Sequence, residues 1–291
     1  MFELPTFVLT LISAMLFSLG NHLQFIGFPY ITSRFGAIIL VSASSVTFLV
    51  VAPFFLELRY LSHPSSLFFV AVGIFIPAVT MSLAISGNKL LGPTLQSSLA
   101  STGPVFAAVM GIAVFGEQLT IPVSAGIIGI TCAVLLQDNH KNTSRDWPLW
   151  AVLLPLTAVV LRVLGQTFTK IGLIDIADPF YAVTVSTITS AVVLLALYLV
   201  RPGPKLPLES WRGAYLFGAA GVVIAIGLYT LNVALLKGEL IEVIPILSTA
   251  PIFSVFWSVL IFRREKITLR FVICIVIVAI SVTAIALDQL K

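Results

Sequence analysis

The amino-acid sequence predicts an all-α membrane protein whose ten transmembrane helices form two inverted five-helix repeats. Three observations support this prediction. The composition is strongly apolar, with 59% hydrophobic residues, 10% charged residues and a mean hydropathy of +1.11. A soluble fold of 291 residues needs far more polar surface than this chain supplies. The other two observations are a series of long charge-poor stretches and an internal repeat.

The charge-poor stretches follow one another along the whole chain. About 20 apolar residues cross the roughly 30 Å hydrocarbon core of a bilayer. By that standard the ten predicted spans cover residues 5–28, 35–56, 66–86, 93–115, 121–136, 148–172, 179–200, 213–236, 240–262 and 271–287. Five spans therefore belong to a first repeat at 1–137 and five to a second repeat at 148–291, with a linker at 138–147.

The fourth and ninth spans carry the clearest copies of the repeat. Residues 99–106 read LASTGPVF and residues 246–253 read ILSTAPIF, an offset of 147 residues. Both copies continue to an acid that we expect at the membrane surface, in FGEQLT at 115–120 and in FRREKIT at 262–268.

A second match lies in the first and sixth spans. The pairs LG at 19–20 and IG at 26–27 recur at 164–165 and 171–172, an offset of 145 residues. The repeat thus covers most of each half. Because five is an odd number, the second copy must enter the membrane from the opposite side, an arrangement typical of transporters.

The loops differ in their content of Lys and Arg. The loops after odd-numbered spans hold eleven of these residues, against four on the other side. This bias predicts cytoplasmic odd loops and both termini outside. The net charge of +4 does not indicate nucleic-acid binding, because the basic residues are spread over short loops and form no single stripe.

On these residues the chain resembles the EamA-type members of the drug/metabolite transporter superfamily. The resemblance rests on the five-plus-five repeat, on PVF at 104–106, on PIF at 251–253 and on FGEQLT at 115–120. It implies a central cavity lined by the first four helices of each repeat, with the fifth and tenth helices outside. Similar proteins move amino acids, vitamins, cofactors, nucleotide sugars or drugs. The second copy departs from the pattern, since two arginines stand where the first has Gly116.

The sixth span carries a polar face. Arg162, Gln166 and Lys170 follow one another at a helical spacing of four residues. Arg162 lies near the middle of the span, where a charge costs about 2.5 to 3.5 kcal/mol on insertion scales. We expect it either to bind an anionic or carboxylate-bearing substrate or to hold backbone carbonyls at a helix break. Lys170 lies near a helix end, where its ammonium is expected to reach water.

The first span carries a neutral polar face at the corresponding position. Asn21 aligns with Gln166, and we predict that both amides line the substrate site, with helix packing as the alternative. His22 has an ordinary pKa of about 6.5, which suits proton coupling, or else it makes a hydrogen bond between helices. Further candidates for the site, each with packing as the alternative, are Gln96, Tyr229 and Asn232.

Prolines and small residues recur inside the spans. Each proline removes a helix hydrogen bond and predicts a kink: Pro77, Pro104, Pro155, Pro245 and Pro251. Small residues at every fourth position of the fourth and ninth spans predict close helix contacts: Gly103, Ala107 and Gly111, then Ala250, Ser254 and Ser258.

The acidic residues avoid the centres of the spans. Glu117 and Glu265 end helices, so we expect transport to tolerate their neutralisation. An exporter of lipophilic cations needs a buried carboxylate with a raised pKa, which disfavours that substrate class. The sequence has no hydrolase motif, phosphate-binding loop or metal-ligand motif, and its loops are short. We therefore predict that the chain is not an enzyme and uses no cofactor or metal.

These patterns together predict a secondary active or facilitative transporter that works by alternating access. The expected substrates are small polar metabolites that bear a carboxylate or another anionic group, of the amino-acid or cofactor type, moved by export. The alternative is a flippase for lipids or lipid headgroups, which the sequence does not separate from a metabolite carrier. The expected partners are the substrate and the lipid bilayer, without nucleic acid. The protein is expected to be a monomer or weak homodimer and multi-pass in a bacterial inner membrane.

Overall fold

The fold is known from a computed structural model. It describes residues 4–80, 83, 90–91, 99, 102–137, 148–200, 211–260 and 269–289. Within these ranges the regular structure is helical throughout, without a β-strand. The predicted linker at 138–147, the site candidate Gln96 and the acid Glu265 lie outside the described residues.

Eleven α-helices make up most of the described part of the chain. The first half contains α1 (Thr6–Gly27), α2 (Ser33–Phe55), α3 (Ser66–Phe75), α4 (Gly103–Met110) and α5 (Ile121–Gln137). The second half contains α6 (Leu153–Asp175), α7 (Pro179–Val200), α8 (Trp211–Lys237), α9 (Leu240–Leu247), α10 (Ala250–Leu260) and α11 (Leu269–Gln289). A π-helical turn extends α3 through Ile76–Thr80, and another extends α4 through Gly111–Phe115.

Seven helical segments of the described residues are long and apolar enough to cross a bilayer. They are Thr6–Tyr30, Phe35–Phe55, Leu149–Asp175, Pro179–Val200, Trp211–Lys237, Leu240–Ser258 and Leu269–Asp288. Three shorter apolar helices, at Ser66–Phe75, Gly103–Phe115 and Ile121–Leu136, coincide with the third, fourth and fifth predicted spans. The prediction of an all-α, multi-pass membrane protein is confirmed.

Helices α1 and α8 pack closely because glycine leaves room between them. A Cβ atom at Gly20 would lie 2.5 Å from Cγ1 of Ile224, and one at Gly27 would lie 2.8 Å from the ring of Phe217. Any larger residue would push the two helices apart. Helix contact in lipid depends on such close approach, since burial of apolar side chains gains little where the surrounding lipid is equally apolar.

The same contact recurs between α6 and the third helix of the first half. A Cβ atom at Gly172 would lie 2.6 Å from the ring of Phe69, and one at Gly165 would collide with Ile76. These two glycines are the partners of Gly20 and Gly27 in the sequence repeat. The repeated LG and IG pairs therefore encode one helix contact that is formed twice.

A second contact also occurs in both halves of the fold. Between α2 and α8, the hydroxyl of Ser44 donates a hydrogen bond to the carbonyl of Gly221 at 2.8 Å. Between α7 and α3, Ser190 donates to the carbonyl of Gly73 at 3.0 Å. In both pairs the glycine lies against the backbone of the neighbouring helix. A Cβ atom at Gly221 would meet the carbonyl oxygen of Leu40, and one at Gly73 would meet the carbonyl oxygen of Ser186 on α7.

Helices α5 and α11 pack against each other through an apolar cluster that includes Ile130, Cys274 and Ile285. Cys274 is buried there and its thiol contacts the carbonyl of Ala133 at 3.3 Å. Cys132 is exposed, and both cysteines are free thiols.

The α2–α8 contact can be tested with two alanine variants on one helix. Gly221→Ala should lower the Tm of the detergent-solubilised protein by roughly 3 to 10 °C, because the added methyl group collides with Leu40 and Ala43. Gly218→Ala is the matched control, since nothing lies within 4 Å of its Cβ position. That variant should be as stable as the parent or slightly more stable. Equal Tm values for the two variants would contradict the close packing.

Candidate functional site

The fourth and ninth predicted spans have turns at equivalent positions, which we call the breaks. One break falls at Thr102, before α4, and the other at Ser248 and Thr249, between α9 and α10. Thr102 and Thr249 each donate a hydrogen bond to the carbonyl three residues earlier, at 2.8 and 2.7 Å. Pro104 and Pro251 follow in the first turns of α4 and α10, where a missing N–H is tolerated. The repeated STGP and STAP motifs therefore encode the two breaks.

Arg162 of α6 lies beside these breaks. A Cβ atom at Gly103, the first residue of α4, would lie 3.5 Å from Nη2 of Arg162 and 3.8 Å from Oγ of Ser248. The arginine is surrounded by protein atoms, yet its side chain is accessible to solvent. Among the described residues no carboxylate pairs with it and it donates no hydrogen bond. Its guanidinium therefore has donors available for a bound ligand.

Gln166 lies one turn beyond Arg162 on the same face of α6. Its side-chain oxygen is buried without a hydrogen-bond partner among the described residues. The hydroxyl of Ser18, on the polar face of α1, is also buried without a hydrogen-bond partner among the described residues. Buried polar atoms in native proteins are normally paired with protein, water or ligand. The Arg162–Gln166 face thus keeps hydrogen-bonding capacity that the described protein atoms do not use.

The other two predicted site residues of the first repeat lie on α1. Asn21 is exposed and accepts a hydrogen bond from Gln24 at 3.2 Å. Nδ1 of His22 lies 3.3 Å from the hydroxyl of Ser254 on α10. The interhelical hydrogen bond that was one of the two alternatives for His22 is therefore present.

The remaining candidates, Tyr229 and Asn232, lie on α8. Tyr229 packs edge-on against Phe180, with ring centroids 6.4 Å apart. Asn232 is only 6% exposed. No described hydrogen bond or ring contact joins either residue to Arg162. Both residues therefore stay candidates for the site with packing as the alternative, whereas Arg162 and Gln166 of α6 carry polar groups that remain open to a ligand.

The end of the fourth span turns back on itself at the FGE sequence. Gly116 has φ of +67°, in the left-handed region that favours glycine. The N–H of Glu117 then donates to the carbonyl of Gly111 at 3.1 Å. This turn directs the Glu117 carboxylate over Gly111, where a Cβ atom would collide with Oε2. Gly116, through its left-handed backbone, and Gly111, through its missing side chain, thus position the Glu117 carboxylate.

The Glu117 carboxylate is buried and has several partners. Lys170 on α6 forms an ion pair with it at 2.5 Å, and the two side chains are only 12% and 5% exposed. The backbone N–H groups of Leu240 and Ile241 donate to its two oxygens at 2.8 and 2.9 Å. Lys170 also donates to the carbonyl of Gly238 at 3.0 Å. Glu117 therefore caps the N-terminus of α9 and joins α4, α6 and α9.

One expectation about these residues is wrong. Lys170 does not reach water from the helix end, because Glu117 and the ring of Phe115, 4.9 Å from its ammonium, enclose it. Glu117 follows the end of its helix, as expected, but its side chain is buried. Glu117 and Lys170 are 53 residues apart in the chain, so the sequence around one residue does not predict the other as its partner. The one sequence feature that pointed to a buried Lys170 is its position on the polar face that begins at Arg162.

Opposite charges lie at the two ends of α9. Glu117 faces its N-terminus, and the Arg162 guanidinium lies near its C-terminal cap at Ser248. Both charges complement the helix dipole. The N-terminus of α4 at Gly103 adds the positive end of a second helix beside Arg162. The region of the breaks is therefore suited to bind an anionic group.

Glu239 lies outside the membrane spans and next to the ion pair. Burial and the neighbouring Glu117 carboxylate raise the pKa of Glu239, as does Asp288, while the Lys170 ammonium acts in the opposite direction. A carboxylate whose pKa is raised in the folded state destabilises the fold as the pH rises above its unfolded pKa. The effect disappears at low pH, where the group is protonated in both states.

The chain is similar to known proteins in family and in fold. Residues 149–287 match the EamA-like transporter family. No curated protein matches the sequence. Among solved structures 29 chains match, and one crystal structure covers 98% of this chain and 98% of its own with a TM-score of 0.80 and 13% sequence identity. At that identity the likeness shows a shared fold alone.

The position of Glu239 predicts a pH-dependent gain in stability on its neutralisation. Glu239→Gln should raise the Tm above that of the parent by about 1 to 3 °C at pH 8, because the crowding with Glu117 is relieved. The difference should vanish below about pH 4, roughly the ordinary carboxyl pKa. Thermal unfolding across this pH range measures it. A difference that stays constant with pH would contradict the assignment.

Proposed function

This chain belongs to the EamA-like transporter family through the match of its residues 149–287, and on that premise we propose that it moves a small anionic metabolite by alternating access. The carrier is secondary active or facilitative, with ten transmembrane helices in two inverted five-helix repeats. We place it in a bacterial inner membrane and assign the direction as export.

The pairing of the helices supports the inverted repeats. Helix α1 packs on α8 as α6 packs on α3, and α2 packs on α8 as α7 packs on α3. Two further pairs, α2 with α7 and α5 with α11, join corresponding helices of the two halves. Exchanging the halves therefore turns each of these contacts into itself or into another observed contact. A pseudo-two-fold axis in the membrane plane has this property.

One observation favours an anionic substrate above the others. Arg162 lies at the two helix breaks, accessible to solvent, and without a carboxylate partner among the described residues. A carboxylate or phosphate can accept two parallel hydrogen bonds from a guanidinium, and the N-terminus of α4 favours the same charge. Gln166 offers a further polar group one turn away. A small metabolite of the amino-acid or cofactor type has the required chemistry.

Substitutions of Arg162 test the substrate assignment. Arg162→Lys should weaken binding of an anionic substrate by about tenfold, because an ammonium cannot supply the two-pronged geometry. Arg162→Gln should weaken it by about a hundredfold or more, since the charge is lost as well. Affinity and Tm are measured on the same purified proteins, against a panel of amino acids, phosphorylated metabolites, neutral analogues and soluble lipid headgroups. Arg59→Gln, which removes an exposed arginine paired with Glu57, is the control and should bind normally.

The structural alternative for Arg162 predicts a different result. If the guanidinium only joins helices, Arg162→Gln should lower the Tm while leaving affinities for anionic and neutral compounds equally unchanged. That outcome would refute the substrate assignment. Preferential binding of lipid headgroups in the parent protein would favour the flippase alternative. Counterflow into proteoliposomes of known orientation measures the direction of transport.

A further inference from the structure

The Glu117 cluster joins the two halves of the chain at one end of the molecule. It consists of Glu117 from the first half and of Lys170, Gly238, Leu240 and Ile241 from the second half. We call this end of the molecule the Glu117 end. The transport proposal does not use this cluster, and three of its four hydrogen bonds end on the Glu117 carboxylate.

The helices that meet at the cluster also meet at Arg162. On α6, Lys170 lies eight residues beyond Arg162, about 12 Å along the helix axis. Helix α4 begins at Gly103 beside Arg162, and its π-helical extension ends immediately before the Glu117 turn. Helix α9 begins at the cluster and ends at Ser248 beside Arg162. The cluster and the candidate site are thus opposite ends of one three-helix unit.

The chemistry of the cluster favours two states and no intermediate between them. A buried carboxylate and ammonium stabilise each other while both are dry, but either one alone in an apolar environment is strongly unfavourable. Separation therefore requires water to enter and hydrate both groups. The backbone N–H groups at the start of α9 are subject to the same condition, because they too lose their acceptor when Glu117 leaves.

We propose that the Glu117–Lys170 ion pair is the gate that closes the Glu117 end over the Arg162 site, and that this end opens when Glu117 parts from Lys170 and α9. The gate rests on the proposed alternating-access transport. It assigns Glu117 and Lys170 a role in the transport cycle without contact to the substrate. It also replaces the expectation that neutralising Glu117 leaves transport unaffected.

Site-directed labelling tests the gate without any substrate. Ser248→Cys, in a background with Cys132 and Cys274 replaced by alanine, reports access to the region of Arg162. Vesicles of both orientations are treated with a membrane-impermeant maleimide. Gln118→Cys, at an exposed position next to Glu117, identifies the membrane face on which the Glu117 end lies. No assumption about orientation is then needed.

Removal of one partner should open the gate. Lys170→Met should raise the labelling rate of Ser248→Cys from the Glu117 face by about tenfold or more and lower it from the opposite face. Glu117→Gln, which is nearly isosteric and keeps one oxygen for α9, should change it in the same direction. Asp288→Asn is the matched control: it neutralises the carboxylate that accepts the bond from Thr120 at 2.5 Å at the same end, but this bond links the start of α5 to α11 and its change should leave labelling unaffected.

The possible outcomes separate the gate from simple structural support. Unchanged or reduced labelling from the Glu117 face in folded Lys170→Met and Glu117→Gln proteins would overturn the proposal, even if their Tm falls. An equal increase in Asp288→Asn would also overturn it, because loosening of that end would then be unspecific. If labelling changes as expected while Arg162 variants bind anions normally, the gate stands and the substrate assignment fails. If Arg162 variants lose binding and labelling is unchanged, the reverse holds.

Discussion

Hydrocarbon cannot hydrate backbone polar groups, so each interruption of a membrane helix must find hydrogen-bond partners within the protein. This constraint governs the two broken helices. Thr102 and Thr249 meet it with short local hydrogen bonds from their hydroxyls, and the prolines that follow lie in first turns, where no N–H is needed. The breaks place helix ends, with their partial charges, inside the protein. The proposed substrate site at Arg162 and the Glu117 cluster both lie at those helix ends.

The two charged groups of interest are found where α9 begins and ends. Glu117 receives the free N–H groups at its start, and Arg162 lies near its C-terminal cap. A helix of eight residues is too short to be stable by itself, so these contacts and its packing maintain it. Because Glu117 contacts one end of this short helix and Arg162 lies near the other, we expect a rearrangement at one charge to affect the other. The proposed gate and the proposed site are related in this physical sense.

The helix contacts show how a repeated sequence produces a repeated structure. Glycines at equivalent positions admit Phe217 in one half and Phe69 in the other. Serines at equivalent positions donate to glycine carbonyls across the α2–α8 and α7–α3 interfaces. In a bilayer such close contacts replace the hydrophobic effect as the source of stability. Their number makes substitution of these glycines more damaging than substitution of an apolar residue that faces lipid.

Part of this arrangement was accessible from the residues and part was not. The polar face of Arg162, Gln166 and Lys170 follows from helical periodicity, and the structure confirms that these residues lie on one helix. Periodicity did not predict the surroundings of each residue along that face, because those surroundings depend on the neighbouring helices. Lys170 is enclosed where water was expected, and His22 bonds to Ser254. Tyr229 packs against the ring of Phe180, and Asn232 is buried.

By itself the sequence determined the membrane class, the positions of the apolar helices, the repeated motifs at the breaks and the unusual charge at Arg162. These are local properties, since hydropathy, the missing N–H of proline and the desolvation of a charge act within one or two turns of a helix. Only the tertiary structure decided that Glu117 caps α9 and pairs with Lys170. The free energy of that contact belongs to three helices at once, and a buried charge takes its partner from whichever helix packs against it.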